Sequence, residues 1–483
     1  MSVKIIHEHK IPKSLWILSL IYATFTFAFG VFLTNLLLML NDVYGLERQD
    51  AFTLFAAFSA LAYILPVLGG YFCDKLGFKN SAIVGLFFSG IGLLVLLLPG
   101  FGFLILGLSF FLVGNAFCTP AIWSLIGRLY HKENVARETG STIFYVLFNI
   151  GFLFSDISSG FILKSYGKLG ILVFTIPLFI GGFLMFFLRD KIKTYNEKVL
   201  GEKIIYGKSR LVSFLKIIGL SLLLVPVCYF LLSFVFLTDI ILWVGVAIAF
   251  LYLIYLTIRL RKKTIKSSNY LIGFIILCII GFAYLIIFNS EFGLLPIYAE
   301  HHLDRIIFNT TLPAGGITAL DPFYCIFLGF FYSFMWRYLQ KRNKNPSIPM
   351  KFSLGLILAS MGYLILSLLI FIYSDSIFSV WWLFVVFFFF VSGELMVIPI
   401  GIAMSGSLAP EGKEGLLMGV WNMIMGISAV FVGFIASFTV LPKGSSLLET
   451  NMQYLKVFFI LGLSIFLLGI IVFLIKKFIN KLI

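Results

Sequence analysis

An all-α membrane protein of fourteen spanning helices is what this sequence predicts, and three observations predict it. Of the 483 residues, 61% are hydrophobic, and the mean hydropathy is +1.07. No soluble fold has enough interior to hide that fraction, so most of the chain has lipid as its solvent. Charged residues make up only 12% of the chain, and they gather between apolar runs of the roughly 20-residue length that crosses a bilayer.

Taken in order, the first six runs cover about 14–40, 52–72, 80–99, 102–126, 140–163 and 168–188. A pair follows over about 212–237 and 240–258. Six more cover about 270–298, 315–339, 352–374, 380–406, 415–440 and 454–475. The first run lacks a short core followed by a small-residue cleavage site, so it reads as a retained helix. The layout is six, two, six: an N-terminal bundle over 1–190, basic linkers with an accessory hairpin over 191–268, and a C-terminal bundle over 269–483. Two such bundles predict a midplane cavity and alternating access between them. Pro66, Pro120, Pro322 and Pro399 interrupt spans, which lipid tolerates where the backbone faces protein or a water-filled cavity.

The net charge is +15, but it is spread over short loops and forms no patch for nucleic acid. With the N-terminus in the cytoplasm, Arg48, Lys164, Lys168, Arg305, Lys443 and Lys456 lie outside, and the other thirty of 36 Lys and Arg lie inside. Arg189, Lys191, Lys193, Lys198, Lys203, Lys208 and Arg210 crowd one inner linker. The positive-inside rule selects this orientation, with both termini cytoplasmic.

Cys73, Cys118, Cys228, Cys278 and Cys325 show no metal-like spacing and read as small packing residues, and no metal or other cofactor is expected. His7, His9, His131, His301 and His302 all fall beyond the predicted spans. No nucleophile, base or metal set clusters near one membrane face, so an enzyme is not expected. A channel would need a filter-like repeat that the spans lack.

Charge inside the spans is all of one sign. Asp156, Glu291, Asp321 and Glu394 lie within them, and no lysine or arginine is comparably deep. A charge at bilayer depth costs at least about 2.5–3.5 kcal/mol and is usually functional. Desolvation favours the neutral acid of a buried carboxyl, which suits a group that takes up and releases protons, or that pairs with a cationic substrate. Glu394 sits in Val391-Ser-Gly-Glu-Leu-Met-Val-Ile-Pro-Ile-Gly401, near the centre of a run of more than 20 mostly apolar residues. Asp156 lies seven residues after Asn149, on nearly the same helix face.

Several strings, taken together, carry a resemblance. They are Gly393-Glu394-Leu-x-x-x-Pro399-x-Gly401, Leu408-Ala-Pro410, Gly415-Leu-Leu-Met-Gly-Val-Trp421 and Phe144-Tyr145-Val-Leu-Phe-Asn149-Ile-Gly151. Tyr298-Ala-Glu300 with Asp304-Arg305, and Leu320-Asp321-Pro322 followed by Pro346-Ser-x-Pro-x-Lys351-Phe352, complete the set. This ordered set resembles the proton-dependent oligopeptide transporter family of the major facilitator superfamily, and the fourteen-helix layout resembles its bacterial members. The segment Gly69-Gly70-Tyr-Phe-Cys-Asp74-Lys75-Leu-Gly77-Phe-Lys79 is similar to the superfamily's gating loop, which places Gly70, Asp74, Lys75, Gly77 and Lys79 at a gate. The fold implied is the major facilitator fold. The activity implied is proton-coupled uptake of di- or tripeptides, or of related amine-bearing small molecules, by a functional monomer in a bacterial inner membrane.

The resemblance assigns the substrate amine to Glu394, a pocket aromatic to Trp421, and polar pocket positions to Tyr63 and Asn149. It also shows what is missing. The family's first-span ExxER positions fall on Ile21, Thr24 and Phe25, a further first-span arginine on Phe32, and the fourth-span lysine on Thr119. The acid of its later Glu-Gln motif falls on Asn289, with Glu291 two residues along, and Asp321 replaces the usual asparagine. Losing both signs together avoids an uncompensated buried charge. A peptide would lose its carboxylate anchor here, so the expected substrate is cationic or lacks a free carboxylate. Protons would couple through Glu394, Asp321, Asp156 and Glu291. Two other readings of the same carboxylates are export of organic cations by proton exchange, and a non-transporting receptor or scaffold.

Overall fold

The protein is described by a computed structural model covering residues 11–38, 40, 44–45, 48–131, 136–195, 210–262, 264–307, 310–312, 314–439 and 445–483. His7, His9, Lys198, Lys203, Lys208 and Lys443 lie outside the described residues. Fourteen helices are long and apolar enough to cross a membrane, which makes this an integral, multi-pass, all-α membrane protein.

The helices are α1 (Lys13–Leu38), α2 (Arg48–Leu76), α3 (Phe78–Val95), α4 (Phe101–Arg128), α5 (Ala136–Tyr166) and α6 (Ile171–Leu188), then α7 (Arg210–Ser233) and α8 (Val235–Arg261). The last six are α9 (Ile265–His302), α10 (Leu320–Lys341), α11 (Ile348–Ile372), α12 (Trp382–Ser407), α13 (Glu414–Ser437) and α14 (Leu447–Asn480). The apolar runs located the helices, and several helices extend past them at one end, because lipid-facing hydropathy marks only the stretch in hydrocarbon. Thus α9 runs on to His302, and His301 and His302 stand in its last turn rather than beyond the span.

α10 starts later than predicted, after a 3-10 turn over Ala314–Ala319. Pro322 therefore does not interrupt this span. It is the third residue of α10, in the first turn, where a missing N–H costs nothing. Pro66, Pro120 and Pro399 do lie inside helices. α14 begins with a capping box, the Ser446 hydroxyl accepting from the Glu449 amide while the Glu449 carboxylate accepts from the Ser446 amide.

α1–α6 pack among themselves and α9–α14 do likewise. α7 lies against α2, α3 and α4, and α8 bridges α2 to α9. Two seams join the six-helix halves: α2 against α13, and α5 against α10 and α12. α12 is apolar on every face and is accordingly buried on every face from Phe390 to Gly406. That all-round burial puts the one acid it carries at the seam. At the end of the bundle away from the start of α1, two short pairings tie the loops: β1 (Leu303–Asp304) runs parallel to β4 (Phe378–Ser379), and β2 (Ile306–Ile307) antiparallel to β3 (Thr310–Thr311).

Candidate functional site

Glu394 on α12 is fully buried, and the opposite half reaches it: the Tyr145 hydroxyl of α5 donates to its Oε1. Asp321 stands in the first turn of α10, and Cys325 follows one turn later on the same face. The Cys325 thiol lies 3.4 Å from Glu394 Oε1 and 3.7 Å from Asp321 Oδ1. Glu291, on α9, is also buried and repelled by the charges of Asp321 and Glu394. Asp156, half-buried on α5, feels the charge of Asp321. The four acids named from sequence therefore share one electrostatic neighbourhood, fed by α5, α9, α10 and α12.

The neighbourhood is under-satisfied. Asp321 Oδ2, Glu394 Oε2, both carboxylate oxygens of Glu291 and Asp156 Oδ1 have no hydrogen-bond partner among the described residues. A buried polar oxygen without a donor costs about 1–3 kcal/mol, so these oxygens lower stability where they stand.

Where the family places charge in the first half, this protein has an apolar and neutral surface. Ile21, Phe25 and Phe32 are fully buried, with Phe25 stacked on Phe29 and Phe111. Thr24 bonds to the Ile21 carbonyl in its own helix. Thr119 makes a 3.1 Å bond with the Tyr22 hydroxyl and donates to Asn115 Oδ1 at 2.7 Å, while the Asn115 amide donates to the Ala62 carbonyl. Asn289 faces α13, donating to Ser428 Oγ and the Met425 carbonyl. Glu291, two residues along, is acted on instead by the charges of Asp321 and Glu394.

Asn149 is buried one turn beyond Tyr145, its amide donating to the Tyr145 carbonyl. Trp421 is fully buried, its ring filling a niche above Gly281 of α9 and Gly401 of α12, with Phe352 at its edge. Gly401 is seven residues from Glu394 and so shares its face of α12. Tyr63 stands at the other seam between the halves, on α2 against Gly426 of α13 and beside Ile64 and Val246.

At the end of the bundle where α1 begins, the halves are closed by polar contacts. Asp74 accepts from the Gly415 and Leu416 amides at 2.8 and 2.9 Å, capping the N-terminus of α13 from the other half. Gly70 lets this happen, because a Cβ there would strike the Gly415 carbonyl. Gly77 takes φ 106 at the turn into α3, Lys75 turns back over the Tyr71 ring, and Lys79 is the second residue of α3. Arg128 pairs with Glu414 at 2.9 Å. Lys351 pairs with Glu138, which also accepts from the Asn345 amide at 3.1 Å.

Two basic residues are buried near the starts of their helices, short of the depth of the four acids. Lys351 is fully buried and Arg137 nearly so, because α11 and α5 begin earlier than the apolar runs. A carboxylate from the opposite half makes the burial of Lys351 tolerable. Sequence reasoning also passed over Tyr145 and Cys325 as site residues. Tyr145 is one turn before Asn149 inside a quoted motif, and Cys325 is one turn after Asp321. That spacing was the available signal.

The Major Facilitator Superfamily profile matches residues 15–432. A dipeptide and tripeptide permease B of Aliivibrio fischeri is 27% identical over 435 residues, covering 87% of this chain and 85% of that protein. The uncharacterized transporter YclF of Bacillus subtilis is 25% identical, covering 79% and 77%. Among solved structures, a peptide transporter POT in complex with sulfate superposes with a TM-score of 0.69 at 22% identity, covering 98% of this chain and 96% of that one. A POT family transporter in complex with a thioalcohol-conjugated peptide gives 0.70 at 23% identity, covering 96% of each. The profile spans most of the chain, which therefore belongs to the Major Facilitator Superfamily.

Proposed function

We propose that this protein is a secondary transporter that carries di- or tripeptides, or related small amine-bearing molecules, into a bacterial cell by alternating access coupled to proton flow. One observation carries the reading: the buried Glu394 carboxyl sits on the seam between the halves and is held by Tyr145 from across it. A group placed there is reached when the halves part at either end. It can therefore exchange a proton or an ammonium with one side of the membrane at a time. The relatives named dipeptide and tripeptide permease support the substrate class.

In this reading Glu394 receives the substrate amine, and Asp321 supplies a second negative partner. Trp421, Tyr63 and Asn149 shape the pocket, while Asp156 and Glu291 pass protons to and from the acids. Asp74, with the α13 N-terminus, and the Glu138–Lys351 and Arg128–Glu414 pairs close the cytoplasmic end. The protein works as a monomer in the inner membrane with both termini cytoplasmic, as its basic loops require.

The test is uptake of a labelled dipeptide into proteoliposomes, with and without an inwardly directed proton gradient. Wild type should accumulate the dipeptide only with the gradient, and Glu394→Gln should lose accumulation while remaining folded. Accumulation by Glu394→Gln equal to wild type would refute the assignment. Export of organic cations by proton exchange is the second reading. It is favoured by one observation, that among the described residues the carboxylate cluster has no basic hydrogen-bonding neighbour. It predicts that the same gradient depletes a loaded lipophilic cation.

A further inference from the structure

We propose that Asp321, Cys325 and Glu394, completed by Glu291, form a binding site for a divalent metal ion of the zinc class. The sequence showed no metal-like spacing. The fold makes one, joining two residues a helical turn apart on α10 to a carboxyl of α12.

Geometry is the first argument. Donor atoms of Asp321, Cys325 and Glu394 all lie within 4.8 Å of one another, and all three residues are buried. Zinc bonds of about 2.3 Å to sulfur and about 2.0–2.2 Å to oxygen set neighbouring ligands about 3.5 Å apart at a tetrahedral angle. The sulfur-to-oxygen separations are 3.4 and 3.7 Å, so two of the three donor–donor separations already match the edges of such a tetrahedron.

Glu291 supplies the second, independent argument. It comes from a different helix, is 1% exposed, and has both oxygens unpartnered among the described residues. Asp321 and Glu394 are the charges that act on it, and in the proposal it swings in as the fourth ligand, its oxygens lying outside the group of donors within 4.8 Å of one another. Asp321 Oδ2 and Glu394 Oε2 are likewise unpartnered, which leaves each carboxylate an oxygen to give.

The donor set selects the ion. One thiolate with carboxylates suits zinc or cadmium, whereas magnesium and calcium want oxygen alone. On binding, the thiol loses its proton to water and the metal–sulfur bond forms; nothing is oxidised. The bound ion would exclude the ammonium assigned above to Glu394, a consequence that rests on that reading.

Cadmium titration of the purified full-length protein tests the site without any transport step, because the cadmium–thiolate bond absorbs in the ultraviolet. Wild type should bind about one equivalent with that absorption, and so should Cys228→Ala, whose thiol lies on α7. Cys325→Ala should lose the absorption. Loss of an outer-shell partner alone costs 10–100-fold in affinity, so Asp321→Asn should bind at least about tenfold more weakly. Absorption that is missing from wild type, or that persists in Cys325→Ala, would overturn the proposal. If Cys325→Ala fails to fold, unchanged affinity in both Asp321→Asn and Glu394→Gln would do the same. Dipeptide uptake measured in chelator is a separate result, so the transport reading can fail while the metal site stands, and the reverse.

Discussion

Tyr145 and Glu394 come from opposite halves of the fold, 249 residues apart, and the tyrosine hydroxyl donates to one oxygen of the carboxyl. The contact exists only while the halves are together around the site, so it reports on closure as well as on charge. Tyr145→Phe removes the donor and leaves Glu394 Oε1 with the weak Cys325 thiol. Losing a bond to a buried acceptor costs about 1–3 kcal/mol, so uptake should fall about 5- to 150-fold with the protein still folded. Initial uptake rates with size-exclusion profiles check this, and wild-type rates would remove Tyr145 from the site.

Asp321→Asn restores the amide that the family carries and removes one of two acids facing the substrate amine. Preference should move toward ordinary peptides and away from amines that lack a carboxylate. A competition series of dipeptides and peptide amides against labelled substrate measures it. An unchanged ranking would make Asp321 a packing residue for transport.

Asp156 stands on the same helix as Tyr145, and Asp321 is the charge it feels. If it relays protons toward Asp321, Asp156→Asn should flatten the dependence of uptake on the imposed gradient while substrate exchange at equal pH continues. Loss of exchange and gradient-driven uptake together would instead indicate a structural role.

Lys351 is fully buried against Glu138. Breaking a buried pair from one side costs about 3–5 kcal/mol, because the partner is left uncompensated. Glu138→Gln alone should therefore lower the melting temperature or open the α1-start end of the bundle. The double variant Glu138→Gln with Lys351→Met should recover much of the loss. A thermal-unfolding cycle with spin-label distances across the seam reads both outcomes, and simple additivity would show that the pair does not close the gate.

The fold was legible because lipid imposes a single length scale on the chain, and Glu394 because a carboxyl in an apolar run has no bland explanation. Asp321, Asp156 and Glu291 followed by the same logic. Tyr145 and Cys325 were hidden because a tyrosine and a cysteine in a span are ordinary packing residues, and only the approach of another helix gives them a role. Lys351 was hidden for the opposite reason. One turn from a loop, a lysine looks solvated until its helix is seen to begin earlier and its partner to arrive from the other half. Tyr63 matched a pocket position by resemblance, and the fold puts it at the α2–α13 seam beside α8.

Asp74 grips α13 by two backbone amides, whereas Trp421, six residues beyond Gly415, is wedged between α9 and α12. At 1.5 Å per residue the grip and the wedge are about 9 Å apart, so α13 is a lever with a fixed fulcrum. A tilt of about 10° at the tryptophan displaces the gripped end by about 1.5 Å, enough to break both bonds at once. Because the grip is on amide hydrogens, it depends on the helix's position rather than on its side chains. In the proposed transport cycle, a ligand that displaces the indole would loosen the grip at the far end without touching Asp74.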